Sequence, residues 1–167
     1  MPISFRVFAF VAISWAPVWG AEMALRSGAV APERSIRLDL ALSDSAHVIA
    51  AYQCDLEYDP AVMEIAVEAG PAATAAGKSI VYSIPSPGHA RLLIAGAGQA
   101  AIPDGAVAVI TVTARRTAPL GSSYSIRLTG PVAADGEARR VPTTVANGSI
   151  TILAPRQPGR NGPPERE

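Results

Sequence analysis

Residues 52–65, YQCDLEYDPAVMEI, alternate apolar and polar side chains up to an Asp-Pro step and then begin to alternate again. In the first half Tyr52, Cys54, Leu56 and Tyr58 fall on one face and Gln53, Asp55 and Glu57 on the other, the period of two that a half-buried pleated strand requires. Proline fixes its own φ and donates no backbone hydrogen bond, and the preceding aspartate accepts bonds from nearby N–H groups, so Asp59-Pro60 is a corner. Met63, Ile65 and Val67 then alternate with Glu64, Ala66 and Glu68. A short amphipathic helix after the proline is the alternative, but the spacing and the β-branched residues favour a second strand.

The same signature recurs along the chain. Ile36, Leu38, Leu40 and Leu42 alternate with Arg37, Asp39, Ala41 and Ser43, and Tyr124, Ile126 and Leu128 alternate with Ser125, Arg127 and Thr129. Residues 79–84, 91–95, 107–115 and 149–153 add β-rich runs. Pro85, Pro87-Gly88, Pro103-Asp104-Gly105, Pro119, Gly121 and Asp135-Gly136 punctuate them. The segment 69–77 is alanine-rich, but Gly70-Pro71 and Gly77 bracket it so closely that at most one helical turn fits. Short strands at this spacing predict an all-β fold, a jelly-roll sandwich of about nine strands.

The ends read differently. A lone Arg6, an apolar run over 7–19 interrupted by Ser14 and Pro17, and small residues at Gly20 and Ala21 read as a secretory signal peptide over 1–20. The run is shorter than the roughly 20 apolar residues of a spanning helix. Export from a bacterial cell, to the periplasm or beyond, is the expectation, with no membrane span once the leader is removed. The sandwich is then expected over 21–153, and 154–167, rich in proline, glycine and charge, is expected to be disordered.

Composition excludes several functions. The 14 basic and 14 acidic residues cancel, so no broad electrostatic footprint for nucleic acid is implied. Cys54 is the single cysteine, which rules out an intramolecular disulfide even in an oxidising compartment. On the apolar face of its strand it reads as a small buried hydrophobe. Gly96, Gly98 and Ala101 match a G-x-G-x-x-A fingerprint, but Pro103-Asp104-Gly105 follows where a helix would have to begin, so a loop or bulge is the better reading. Asp55 and Glu57 stand about 7 Å apart on one strand face, a spacing inverting glycosidases use, yet any strand with acids at i and i+2 gives it and a solvated face is the usual cause. His47 and His89 have no Cys or His partner at metal-ligand spacing and read as surface residues. There is no G-x-S-x-G elbow. The chain is expected not to be an enzyme, with no catalytic residue, metal or cofactor.

The order of segments RSIRLDLALS, AAYQCDLEYDPAVMEI, GAVAVITVTARRTAPLG and NGSITI, with Asp135-Gly136 before the last, resembles the cohesin domain across about residues 35–153. Leu56 to Ile65, L-x-Y-D-P-x-V-M-E-I, carries most of the resemblance. It implies a secreted bacterial jelly-roll sandwich, related to carbohydrate-binding modules, that binds dockerin modules in assemblies degrading plant polysaccharide, without catalysis of its own. In the family the strand before the Asp-Pro corner contacts the dockerin, often with an acid where this chain has Gln53. The pleat nominates a partner-binding face of Gln53, Asp55 and Glu57 together with Val109, Thr111 and Thr113, with Val109 exposed as its apolar component.

Two other classes stay open. A carbohydrate-binding module needs exposed aromatics to stack on sugar rings; both tryptophans, Trp15 and Trp19, lie in the leader, Tyr52 and Tyr58 face inward, and Tyr82 and Tyr124 are unassigned. A structural envelope or surface-layer subunit would expose a flat, apolar edge strand.

Overall fold

The structure is a computed structural model and describes residues 20–44, 46 and 48–154. Residues 1–19 of the expected leader, which include Trp15 and Trp19, residues 155–167 of the expected tail, and His47 lie outside the described residues.

Among the described residues twelve strands and one short helix form in chain order: β1 (Ala21–Leu25), β2 (Gly28–Val30), β3 (Ser35–Ser43), β4 (Ile49–Glu57), β5 (Met63–Ala69), α1 (Pro71–Ala75), β6 (Ser79–Ser86), β7 (His89–Ala95), β8 (Gly105–Ala114), β9 (Ser123–Asp135), β10 (Arg140–Val141), β11 (Thr143–Ala146) and β12 (Gly148–Ile152). They build two sheets. The first has the order β11-β1-β3-β8-β5; the second has the order β2-β12-β9-β4-β7-β6, with β10 attached to β9. All pairs are antiparallel except β1 with β11 and β2 with β12.

The pleat explains the sandwich. Tyr52, Cys54 and Leu56 of β4, Leu92 and Ile94 of β7, and Ile126 and Leu128 of β9 turn inward from the second sheet. They meet Leu38, Leu40 and Leu42 of β3, Ile110 and Val112 of β8, and Met63, Ile65 and Val67 of β5. Each fully buried side chain of this size contributes about 1.5–3 kcal/mol by leaving water. With a single cysteine, that apolar contact and the ladders hold the domain together.

The Asp59-Pro60 corner carries the chain from the second sheet to the first. Asp59 Oδ1 accepts from the Ala61 amide at 2.9 Å, and the Asp59 carbonyl accepts from Val62 at 3.2 Å and Met63 at 3.1 Å. The tip of the β6–β7 hairpin docks on this corner, the Tyr58 amide donating to the Gly88 carbonyl at 2.9 Å. Gly88 is required there twice over: its φ is +81°, and a Cβ would stand 2.7 Å from the Tyr58 carbonyl oxygen.

Two details, β1 and the passage through Pro85, depart from the pattern read in the sequence, whereas the alanine-rich segment, the 96–104 loop and the Asp135-Gly136 turn follow it. β1 was not expected. Its alternation of Ala21, Met23 and Leu25 against Glu22 and Ala24 is only five residues long and abuts the apolar leader, so periodicity alone does not isolate it. Pro85 does not end β6, which runs on to Ser86, because β6 is an edge strand where a missing N–H costs no ladder bond; the register slips between Ser83 and Ser86 instead. The alanine-rich segment forms only the five-residue α1. Residues 96–104 form no helix, and the Gly98 carbonyl accepts from the buried Lys78 Nζ at 2.6 Å. Asp135 caps the tight β9–β10 hairpin by accepting from the amides of Glu137 and Arg139, both at 2.9 Å.

Cys54 is wholly buried, and that burial pushes its thiol up to about 12. The Tyr52 hydroxyl beside it is also buried, with no well-formed hydrogen bond among the described residues. The same desolvation drives the phenol well above its ordinary range.

Two outcomes test this packing. Gly88→Ala is expected to lower stability by about 2 kcal/mol or more, from left-handed backbone strain plus the carbonyl clash, as a drop in the urea midpoint. The Cys54 thiol is expected to stay unlabelled by a thiol reagent at pH 8 in the folded chain and to react fully in denaturant; labelling at equal rates in both would contradict its burial.

Candidate functional site

β4 is central in the second sheet, so its outward residues become the middle of a four-strand surface. Cross-strand register assembles that surface in rows. Val81 of β6 pairs with Leu93 of β7, Leu93 with Gln53 of β4, and Gln53 with Val132 of β9. Val81 is 65% exposed, Leu93 39% and Val132 44%. Four strands at their usual spacing of nearly 5 Å make this apolar row about 15 Å long, interrupted only by the Gln53 amide.

Two residues further along, the next row is Ser83, Arg91, Asp55 and Thr129. Arg91 grips Asp55 in a bidentate pair, Nε to Oδ1 and Nη2 to Oδ2, both at 2.8 Å. That guanidinium holds the Asp55 carboxyl below the usual carboxylate range. The third row contains His89, Glu57 and Arg127. Thr129 Oγ1 donates to Glu57 Oε1 at 3.2 Å, and Arg127 lies 4.0 Å from Oε2 of the same carboxylate. The surface is thus an apolar strip flanked on one side by mutually neutralised charges, the composition of a protein-docking face: an apolar centre with a polar margin.

This arrangement also bears on the spacing of Asp55 and Glu57. A carboxylate clamped by arginine and kept ionised is a poor proton donor, and the two acids face open sheet surface.

The six residues nominated from the pleat do not form one plane. Gln53, Asp55 and Glu57 lie on the outer face of the second sheet; Val109, Thr111 and Thr113 lie on β8, in the other sheet, and face the opposite side of the sandwich. The expectation that Val109 is exposed is corrected: it is 7% exposed. β8 is flanked by β3 and β5, Val109 pairs with Asp39 and Glu68, and the ion pair of Arg37 with Glu68 closes over this region. Ser35 and Thr113 share a hydroxyl contact of 2.8 Å, and Arg115 pairs with Glu64 at 3.0 Å. Polar side chains dominate this part of the outer face, and among the described residues none of the large hydrophobic side chains that are exposed lies on this sheet; its apolar outward residues are small, as in the row Ala146, Ala24, Ala41 and Ala106.

Sequence reasoning missed Val81, Leu93, Val132 and Arg91. Three sit in runs that were read as strands or beside one, and their alternation was available; what was lacking was the knowledge that β6, β7 and β9 flank β4. Val132 was illegible for a further reason. β9 bulges at Gly130, φ +57°, so that even-numbered residues point inward up to Leu128 but odd-numbered Ala133 does so afterwards, and Val132 turns out.

The aromatic residues are sparse. Tyr52 is buried, Tyr58 and Tyr124 are half-buried against the core, and Tyr82 is 39% exposed at the sheet edge. His89 is exposed, and among the described residues no group of three or more His, Cys, Asp or Glu is placed to hold a metal ion. None of the helices formed there is long and apolar enough to cross a membrane.

Comparison with known proteins converges on one family. The family model described as Cohesin domain matches residues 22–152. A search of the curated proteins returns no match. Among solved structures, the sixth cohesin of Acetivibrio cellulolyticus scaffoldin B, in complex with a mutant Cel5 dockerin, superposes with a TM-score of 0.72 at 22% identity, covering 80% of this chain and 99% of that one. A type I cohesin of Clostridium thermocellum in complex with a dockerin gives 0.70 at 16% identity, covering 81% and 94%. A non-cellulosomal cohesin of the archaeon Archaeoglobus fulgidus gives 0.69 at 18% identity, covering 82% and 94%.

The charge pair offers a local test. In a proton titration followed by NMR, the Asp55 carboxyl is expected to titrate below the ordinary aspartate range, and Arg91→Ala is expected to move it up toward that range. The contribution of the pair is complete above the unfolded carboxyl's pKa and is lost as pH falls through the lowered folded value. An unchanged midpoint in the variant would remove Arg91 as the cause.

Proposed function

The chain belongs to the cohesin domain family, and from that premise we propose that it is an exported docking module that receives a dockerin-type protein partner on the outer face of β6, β7, β4 and β9. Cohesin domains are non-catalytic protein-interaction modules. The single observation that carries the choice of face is the exposed row of Val81, Leu93, Gln53 and Val132 beside the rows centred on Asp55 and Glu57. A partner helix about 10 Å across, laid along the strip, buries the aliphatic side chains and keeps its polar flank over Arg91, Asp55 and Thr129. Gln53 then sits within the apolar row and supplies its amide as the hydrogen-bonding group there. The solved neighbours bound to dockerins support a protein as the partner.

The opposite face, with Thr111 and Thr113, serves as the control surface. The setting implied by the family resemblance is extracellular polysaccharide breakdown, with the leader over 1–20 as the route out of the cell. Aliphatic side chains rather than rings line the strip, which favours a protein over a glycan as its direct ligand.

The test is affinity capture from the secreted proteins of the native host, followed by titration of whatever is captured. The wild-type chain and Thr111→Arg are expected to bind the same partner equally. Leu93→Asp and Asp55→Ala are expected to weaken it at least tenfold, about 1.4 kcal/mol or more. Equal recovery by all four baits would reject this face, and retention on polysaccharide beads with no protein captured would favour the carbohydrate reading.

A further inference from the structure

The two sheet orders end on four strands, of which three are guarded; β10, off the path, is only two residues long. β2 is three residues long, β11 is four, and β5 carries Glu64 and Glu68, each engaged by an arginine. Short strands and edge charges are the ordinary devices that keep edges from pairing with other chains. β6 is the exception. Its eight residues, SIVYSIPS, include no charge, and Val81, Tyr82 and Ile84 are exposed at 65%, 39% and 49%. Lys78, the residue before it, does not shield it: the ammonium is folded inward onto the Gly98 carbonyl.

Pro85 and the register slip between Ser83 and Ser86 blunt only the second half of β6. The regular, unguarded stretch is Ser79 to Ser83, and it is self-complementary. Laid antiparallel on a copy of itself about a two-fold axis at Val81, it opposes Val81 to Val81, Ile80 to Tyr82 and Ser79 to Ser83. Like meets like at every position, and no charge is buried. Ile80, half-buried, and Tyr82 lie on the core side of the strand, so the pairing also covers the open rim of the core. The outward row is continued by its own copy, Val132, Gln53, Leu93 and Val81 running on into Val81, Leu93, Gln53 and Val132.

We propose that the chain forms a two-fold homodimer by antiparallel pairing of β6 over Ser79 to Ser83. The occupant of the edge is a second copy because the two halves of the stretch match each other about its midpoint, which an unrelated extended segment would do only by coincidence. One five-residue edge pair buries less than the roughly 800 Å² per partner of a standard interface, so the dimer is reversible and concentration-dependent. This inference does not rest on the docking reading.

Sedimentation of the purified chain over a concentration series tests it. The mass is expected to rise from one chain to two as concentration increases, and Val81→Lys is expected to move that midpoint at least tenfold higher. Val132→Lys, at the far end of the same face, is expected to leave it unchanged, which separates failure of the dimer from failure of the docking face. Val81→Cys keeps the fold and places two thiols across the axis, where opposed Cβ atoms lie about 4.5–5.5 Å apart, so mild oxidation is expected to give a covalent dimer. Buried Cys54 does not compete. A chain that stays at the one-chain mass up to about 1 mM overturns the proposal and leaves the edge to an extended segment of another protein. A dimer indifferent to Val81→Lys, with no crosslink through the cysteine variant, overturns it equally.

Discussion

The phase of β4 is the constraint on which the rest depends. Tyr52, Cys54 and Leu56 are at most 1% exposed, while Gln53, Asp55 and Glu57 face out between two neighbouring strands. A slip of one residue would drive two carboxylates and an amide into an apolar core and expose three large side chains, because side-chain direction alternates with every residue. Buried unpaired carboxylates are so costly that no alternative register competes. The corner at Asp59-Pro60 fixes one end of that phase, and the Gly88 carbonyl bonded to the Tyr58 amide fixes it again from the β6–β7 hairpin. The outward face of β4 is therefore a by-product of core burial: once the inward residues are set, their outward neighbours have no freedom.

Legibility followed the same rule. Where alternation is long and bounded by turn residues, as in β3, β4 and the first half of β9, the sequence showed both the strand and which way each side chain points. Local periodicity carries no information about which strands become neighbours. That is why Gln53, Asp55 and Glu57 could be read as outward while Val81, Leu93 and Val132, which complete their surface, could not be joined to them. It is also why Val109, Thr111 and Thr113 were grouped with them although β8 belongs to the other sheet. Val109 carries a second lesson. Outward is not the same as exposed: on a strand flanked on both sides, long charged neighbours such as Arg37 and Glu68 extend across a β-branched residue and cover it.

The two outer faces solve the same problem of solubility differently. On the first sheet, Arg37 with Glu68 and Arg115 with Glu64 spread paired charge across the surface, and among the described residues no large aliphatic side chain is exposed there. On the second, charge is gathered into the rows of Arg91 with Asp55 and Arg127 with Glu57, so the neighbouring row is left aliphatic. Exposed pairs of this kind add little to stability. On the proposed docking face they would bear on recognition instead: a partner arriving over the strip would meet a nearly neutral margin that demands geometric matching of hydrogen bonds more than a net opposite charge.

Val81 belongs to two surfaces at once, the end of the apolar row and the midpoint of the unguarded edge. The consequence is geometric. Because the two-fold axis passes through that residue, pairing of β6 with its copy sets two docking faces side by side on one continuous sheet, their apolar rows in line. A partner helix confined to Leu93, Gln53 and Val132 is compatible with the pair. One that reached Val81 would meet the second chain's Val81 beside it, so the proposed self-association and docking would be coupled through a single valine, with a sign set by how far along the strip the partner extends.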